Sequence, residues 1–217
     1  MRRERQKMKV LLVNGSPNDK GCTYTALAEI QETLAFEGVE SEIFQLGKKP
    51  IAGCIACGKC SGKGQCVFDD KVNRFLDLAE TADGFIFGSP VHYAAATGAI
   101  TSFLDRVFRA DSSGGRNAFY LKPGAAILSA RRAGTVAALD QLNKYFLISQ
   151  MPIVSSRYWN MVYGNTPEEV KQDLEGLQIM RVLARNMVYM LKCKAAGEAA
   201  GIKAPEAEGR LRTNFIR

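Results

Sequence analysis

The chain lacks any apolar run of the roughly 20 residues needed to cross a bilayer. The apolar stretch that follows the basic start Met1-Arg2-Arg3-Glu4-Arg5-Gln6-Lys7 is too short for a secretory signal. Both absences predict a cytoplasmic protein, for which Met8 serves equally well as the start. No Gly-Lys-Ser or Gly-Lys-Thr ends a glycine loop, and no Gly-x-Gly-x2-Gly occurs, so the magnesium-nucleotide loop and the dinucleotide fingerprint are both excluded. Internal repeats, low-complexity tracts and any shift of composition that would mark a second domain are also missing. The net charge is +7, yet the basic residues are scattered among the N-terminal arm, Lys48-Lys49, Arg131-Arg132 and Arg210-Leu211-Arg212. Without an aromatic-interleaved basic stripe, nucleic acid is not an expected partner. A basic surface does favour small anions such as a nicotinamide dinucleotide phosphate.

What is present is an alternation. With 47% hydrophobic residues the chain can build one large core, predicted here over residues 9–196, with a basic arm at 1–8 and a polar tail at 197–217. Val10–Val13 is a short apolar run bounded by a turn signal, the pattern of a strand buried on both faces. A helical pattern with Leu27, Ile30 and Leu34 follows, then a strand over 40–46. Asp69 or Asp70 then caps a helix bearing Val72, Phe75, Leu76 and Ala79. Strands over 84–88 and 125–130 alternate with helices over 97–110 and 136–148, the last with Leu139, Leu142, Phe146 and Leu147 inward. A fifth strand is expected to begin at Pro152, and one long helix to run from Pro167, a favoured first-turn proline, to Cys193. Strict alternation implies a five-stranded parallel sheet with helices on both faces, an α/β three-layer sandwich. If its strand order is 2-1-3-4-5, ligands bind beyond the carboxyl ends of the strands, where the order reverses.

Three polar loops follow the first, third and fourth strands. Asn14-Gly15-Ser16-Pro17 leads through Gly21 into a helix start, where unpaired N–H groups and the helix dipole favour an anion. Ser16 and Thr23 add hydroxyls, and the site suits a phosphate monoester such as that of flavin mononucleotide (FMN). Ser89-Pro90-Val91-His92-Tyr93 offers backbone N–H groups, the chain's single histidine and an aromatic ring to a flat polar ligand. Ser129-Ala130-Arg131-Arg132-Ala133-Gly134 brings two guanidinium groups, either solvated or gripping phosphate or a flavin edge.

Asn14-Gly15-Ser16-Pro17 with Gly21-x-Thr23, Gly88-Ser89-Pro90-Val91-x-Tyr93 and Ser102-Phe103-x-Asp105-Arg106 together resemble the flavodoxin-like NAD(P)H-dependent FMN reductases. The nearest branch is the iron–sulfur flavoproteins, and the resemblance covers residues 9 to about 160. It implies that Ser16, Asn18, Cys22 and Thr23 hold the FMN phosphate, that Pro90, Val91, His92 and Tyr93 border the isoalloxazine ring, and that Ser129, Arg131, Arg132 and Gly134 close its other side. Two positions depart from many relatives. Cys22 replaces an Asn, leaving only its backbone N–H to serve, and Asn18 replaces an Arg, removing a charge from the phosphate.

Cys54-x2-Cys57-x2-Cys60-x5-Cys66 is a compact string of four thiols, and a reducing compartment directs such a string toward metal or redox chemistry. The spacing is able to wrap a [4Fe-4S] cubane, with Gly53, Gly58, Gly62 and Gly64 permitting tight turns. Zinc is an alternative, although it prefers two separated pairs. Free thiols shaping a dimer contact or a substrate-side loop are another. The loop is expected to project from the flavin edge, with Cys22 as a loop contact and Cys193 as a small buried residue.

The resulting expectation is an FMN-dependent oxidoreductase passing electrons from NAD(P)H through the flavin to a quinone, a flavin or a one-electron redox partner, with no acid–base side chain assigned. A flavodoxin-type carrier and a flavin-binding regulatory protein are the rival readings. Tyr93, Tyr158, Trp159 and Tyr163 at the site edge predict a homodimer or homotetramer.

Overall fold

Strand β1 (Lys9–Asn14) explains the architecture, because Val10, Leu11, Leu12 and Val13 are each completely buried. Successive side chains of a strand point to opposite faces, so four buried neighbours need cover on both sides. The computed structural model describes residues 7–206 together with 208, 211, 213 and 215. Most of the expected basic arm, residues 1–6, and Arg210 and Arg212 of the tail lie outside the described residues.

In chain order the elements are β1, α1 (Cys22–Phe36), β2 (Glu40–Gln45), α2 (Lys71–Glu80), β3 (Gly84–His92), β4 (Ala95–Ala96), α3 (Gly98–Gly114), β5 (Gly124–Ala130), α4 (Thr135–Ile148), β6 (Met161–Tyr163), α5 (Pro167–Gln172) and α6 (Leu174–Ala199). Five strands pair in parallel in the order β2-β1-β3-β5-β6, and the two-residue β4 pairs antiparallel with the end of β3. This is a flavodoxin-like α/β sandwich with one small strand more than the five expected. On one face Leu11, Val13, Phe85, Phe87, Ala126 and Leu128 pack under α2, α3 and α4. On the other, Val10, Leu12, Ile86, Ala125 and Ile127 pack under α1, α5 and α6. Among the described residues no helix is long and apolar enough to cross a membrane.

Four expectations are corrected. Residues 152–155 form no strand of their own: Ile153 makes a single bridge to Gly124, and the fifth parallel strand is β6. Between them the chain leaves the ladder in a turn where the Ser156 hydroxyl donates to the carbonyl of Tyr158. The long helix is broken at Asp173, whose carboxylate accepts from the Tyr163 N–H at 2.7 Å and the Gly176 N–H at 2.9 Å. These side-chain bonds cap α6 and compete with a continuous helical ladder. Helix α6 then runs past Cys193 and Gly197 to Ala199. Cys193 is exposed, because Leu191 ends the buried stripe and two residues on is the opposite helix face. Leu147 is exposed too, next to the inward-facing Phe146.

Phe75 lies at the centre of the α2–α3 side, within ring contact of Phe44, Phe85, Phe87, Phe103 and Phe119. Phe75→Ala is expected to cost about 3–5 kcal/mol of stability, read as a lower denaturation midpoint at an unchanged denaturant slope.

Candidate functional site

At the carboxyl edge of the sheet, register aligns Asn14 with Gln45 on one side and Gly88 on the other, and Ser129 with Pro90 and Val162. The buried Asn14 side chain shapes the first loop. Its Oδ1 accepts from the Ser16 N–H at 3.1 Å, and its Nδ2 donates to the Asn18 carbonyl at 3.3 Å. The Asn18 N–H donates to the Ser16 hydroxyl at 3.1 Å, and Gln45 Nε2 donates to the Ser16 carbonyl at 2.8 Å. The Gly15 N–H donates to the Gly88 carbonyl at 2.8 Å, and a Cβ on Gly15 would come within 2.7 Å of that oxygen. Only glycine permits this approach. Thr97 ties the loops together, donating from Oγ1 to the Gly15 carbonyl at 3.3 Å and from its N–H to Ser89 Oγ at 3.1 Å.

Helix α1 opens from this loop without a side-chain cap, and so does α4; their N-cap residues are Gly21 and Gly134. The other four described helices are capped by Asp70, Thr97, Thr166 and Asp173. An uncapped helix start beside the Ser16 hydroxyl, behind a loop already held in shape, is a place for a phosphate. Gln45 Oε1 is buried there with no partner, an acceptor open to a ligand hydroxyl or N–H rather than to a phosphate oxygen. The uncapped N–H groups of α1 and the Ser16 hydroxyl, whose own proton stays free to donate, fit an FMN phosphate. Burial, and then the Glu169 carboxylate, push the Cys22 thiol up, so it stays neutral; it donates to the Gly164 carbonyl at 3.6 Å.

The expected site residues divide by depth. Ser16, Thr23 and Ser129 are buried, Cys22, Pro90, Val91 and Gly134 are half-buried, and Asn18, His92, Tyr93, Arg131 and Arg132 are exposed on the rim. The Thr23 and Ser129 hydroxyls share a 2.8 Å hydrogen bond, so these two groups join the first and third loops to each other. His92 belongs to β3 and pairs with Ala95, with Tyr93 and Ala94 forming a two-residue turn at φ of 50° and 60°. Both positions favour glycine in such a turn, and the strained tip carries the Tyr93 side chain wholly into solvent. Gly134, at φ 94°, lies under this tip, and a Cβ there would be 2.6 Å from Ala94 Cα. Sequence reasoning placed Asn14 in the first loop and Thr97 at a helix start without the bonds they make, and it missed Gln45; each is a polar residue at a strand end or a helix start, and that was their signal.

The cysteine loop does not project from the flavin edge; it folds back along α3. The Gly62 N–H donates to the Ser113 carbonyl at 2.9 Å, and a Cβ on Gly114 would come within 2.1 Å of Gly64 Cα. All four cysteines line one small cavity of about 20 Å³ with Val67, Phe68, Arg106 and Arg109 among its walls. Ala56, Gly58, Gly62 and Gly64 take positive φ, as the tight turns require. Among the described residues no three of His, Cys, Asp and Glu converge as ligands of one metal ion, so neither zinc nor a cluster has a preformed ligand set, and the fit rests on the identity of the donors. A cubane is held by thiolates spread around it, and a cavity walled by four of them fits that donor set. Burial opposes the Arg106 charge, but hydrogen bonds to Asp70 and Cys66 hold its pKa above the ordinary value.

A family model described as NADPH-dependent FMN reductase matches residues 8–166. The chain is 31% identical to an iron-sulfur flavoprotein of Methanocaldococcus jannaschii over 194 residues, covering 85% of this chain and 98% of that protein. A second iron-sulfur flavoprotein of the same organism is 28% identical over 199 residues, covering 86% and 98%. A solved flavodoxin from the domain Archaea superposes with a TM-score of 0.57 at 16% identity, covering 85% of this chain and 99% of that one, which shows the shared fold.

Thr23→Val removes one of two paired buried hydroxyls and leaves Ser129 unpartnered. The expected cost is about 1–3 kcal/mol of stability. In a denaturation series the Thr23→Val/Ser129→Ala double variant is expected to lose less than the sum of the two single losses.

Proposed function

Because the chain belongs to the NADPH-dependent FMN reductase family, we propose that it is an FMN-dependent oxidoreductase that takes electrons from NAD(P)H and passes them to a second acceptor. The observation that carries this reading is the uncapped start of α1 behind the preshaped Ser16 loop, at the point where strand order reverses. When bound, FMN supplies the hydride-accepting chemistry, and the protein supplies binding and orientation. In this reading Ser16, Asn18 and the first-turn N–H groups at Cys22 and Thr23 hold the phosphate. Pro90, Val91 and the His92–Tyr93 tip border the ring plane. Ser129 and Gly134 close the opposite side, and Arg131 and Arg132, which pair with no described carboxylate, face an anionic substrate.

The four cysteines are proposed to hold a [4Fe-4S] cluster, supported by the cavity they share and by the likeness to two iron-sulfur flavoproteins. Such a cluster supplies one-electron steps toward a redox partner. A second copy of the chain is proposed to cover Tyr93, Tyr158, Trp159 and Tyr163, all of them exposed.

Calorimetry is expected to show one FMN per chain and weaker binding of FAD; absence of FMN binding overturns the assignment. The loaded protein should oxidise NADPH or NADH in the presence of a quinone, whereas FMN binding without that activity leaves a flavodoxin-type carrier. Anaerobically purified protein should contain iron and acid-labile sulfide. Each of Cys54→Ser, Cys57→Ser, Cys60→Ser and Cys66→Ser should lower the iron content while FMN stays bound. A monomer by light scattering at micromolar concentration would refute the second copy.

A further inference from the structure

We propose that Arg106 is the positioning residue of the cysteine loop: it closes the loop around the four thiols, and with Asp70 it sets the charge felt at the Cys66 sulfur. The proposal rests on the reading of these cysteines as cluster ligands.

Arg106 lies on α3 with its side chain 1% exposed. A guanidinium has five N–H donors in a fixed fork, and here all five are used. Nε donates to Cys66 Sγ at 3.1 Å. Nη1 donates to the Ala52 carbonyl at 3.3 Å and to Asp70 Oδ2 at 2.6 Å. Nη2 donates to the Phe68 carbonyl at 3.5 Å and to Asp70 Oδ1 at 2.9 Å. The guanidinium also lies 4.8 Å from the Phe68 ring centroid. Ala52 precedes the first cysteine, while Phe68 and Asp70 follow the last. One side chain therefore grips the loop at both ends. Cys66 is further pinned by Asn73, whose Oδ1 accepts from its N–H at 2.7 Å and whose Nδ2 donates to its carbonyl at 3.0 Å. Cys54 and Cys57, by contrast, are exposed.

The same contacts have an electrostatic consequence. An N–H donor and a positive charge at a ligating sulfur favour the more negative, reduced state of a cluster. Asp70 opposes this from the far side of the guanidinium. Removing either member of the pair should therefore move the potential in opposite directions. A side chain that only filled space would not do so.

The first test needs no metal. Hydrogen exchange on the metal-free protein should show the Cys66 and Gly62 amides protected, with protection falling about tenfold or more in Arg106→Gln. Arg106→Lys keeps the charge but lacks the fork, so its loss should be similar or slightly smaller. Exchange unchanged in both variants overturns the clasp. Should Arg106→Gln fail to fold, Arg106→Lys carries the same comparison.

The second test is the cluster midpoint potential of anaerobically reconstituted protein. Asp70→Asn keeps an acceptor for the Val72 N–H that caps α2, and its potential should rise. In Arg106→Gln the potential should fall and less iron should be retained per chain. A potential unchanged or lowered in Asp70→Asn overturns the electrostatic half. If the wild-type protein takes up no iron, the cluster reading fails and the electrostatic half falls with it, while exchange alone then decides the clasp.

Discussion

Where β1 ends, its backbone passes so close to β3 that the Gly15 N–H bonds the Gly88 carbonyl and no side chain fits between them. The carboxyl edge of the sheet depends on this contact. It turns the chain out of the sheet at Ser16, and Asn14 and Gln45 can then hold the turn. It also delivers the chain to the start of α1 with no capping side chain in the way. Thr97 reaches the Gly15 carbonyl from the far side, so the first and third strands enter the site as one unit.

Helix α3 joins the two candidate centres. It is capped by Thr97 beside Gly15, and its ninth residue is Arg106, about 13 Å along at 1.5 Å per residue. From there to Gly114 it carries the cysteine loop. A rigid helix thus fixes the spacing between the flavin edge and the cysteine cavity, and no flexible linker is involved. The motif residues Ser102-Phe103-x-Asp105-Arg106 divide accordingly. Phe103 packs into the sheet-facing core, Asp105 accepts from the Tyr145 hydroxyl, and Arg106 turns to the cysteines.

Much of the site was legible because its chemistry is local. Loop composition, the glycine before α1 and the spacing of four cysteines are properties of short stretches. What escaped depends on partners distant in sequence. Thr23 reads from its place in the first loop alone, and its hydroxyl bond to Ser129, more than a hundred residues away, is not visible there. Gly134 reads as a glycine of the third loop, and the Ala94 backbone pressed against it from the second loop is not visible in the sequence. Asp173 reads as one more polar residue in a helix until the Tyr163 N–H claims its carboxylate.

By itself the sequence determined the layered α/β architecture, since hydrophobic periodicity reports burial whatever the partner. It also determined the edge at which the polar loops gather, since parallel strands joined by helices place alternate loops at one end. Only the tertiary structure decided that the cysteine loop lies back along α3. That course is set by Gly64 meeting Gly114 and by one buried arginine reaching Ala52, Cys66, Phe68 and Asp70 at once. Contacts of that kind join residues by distance in space, and no periodicity in the chain encodes them.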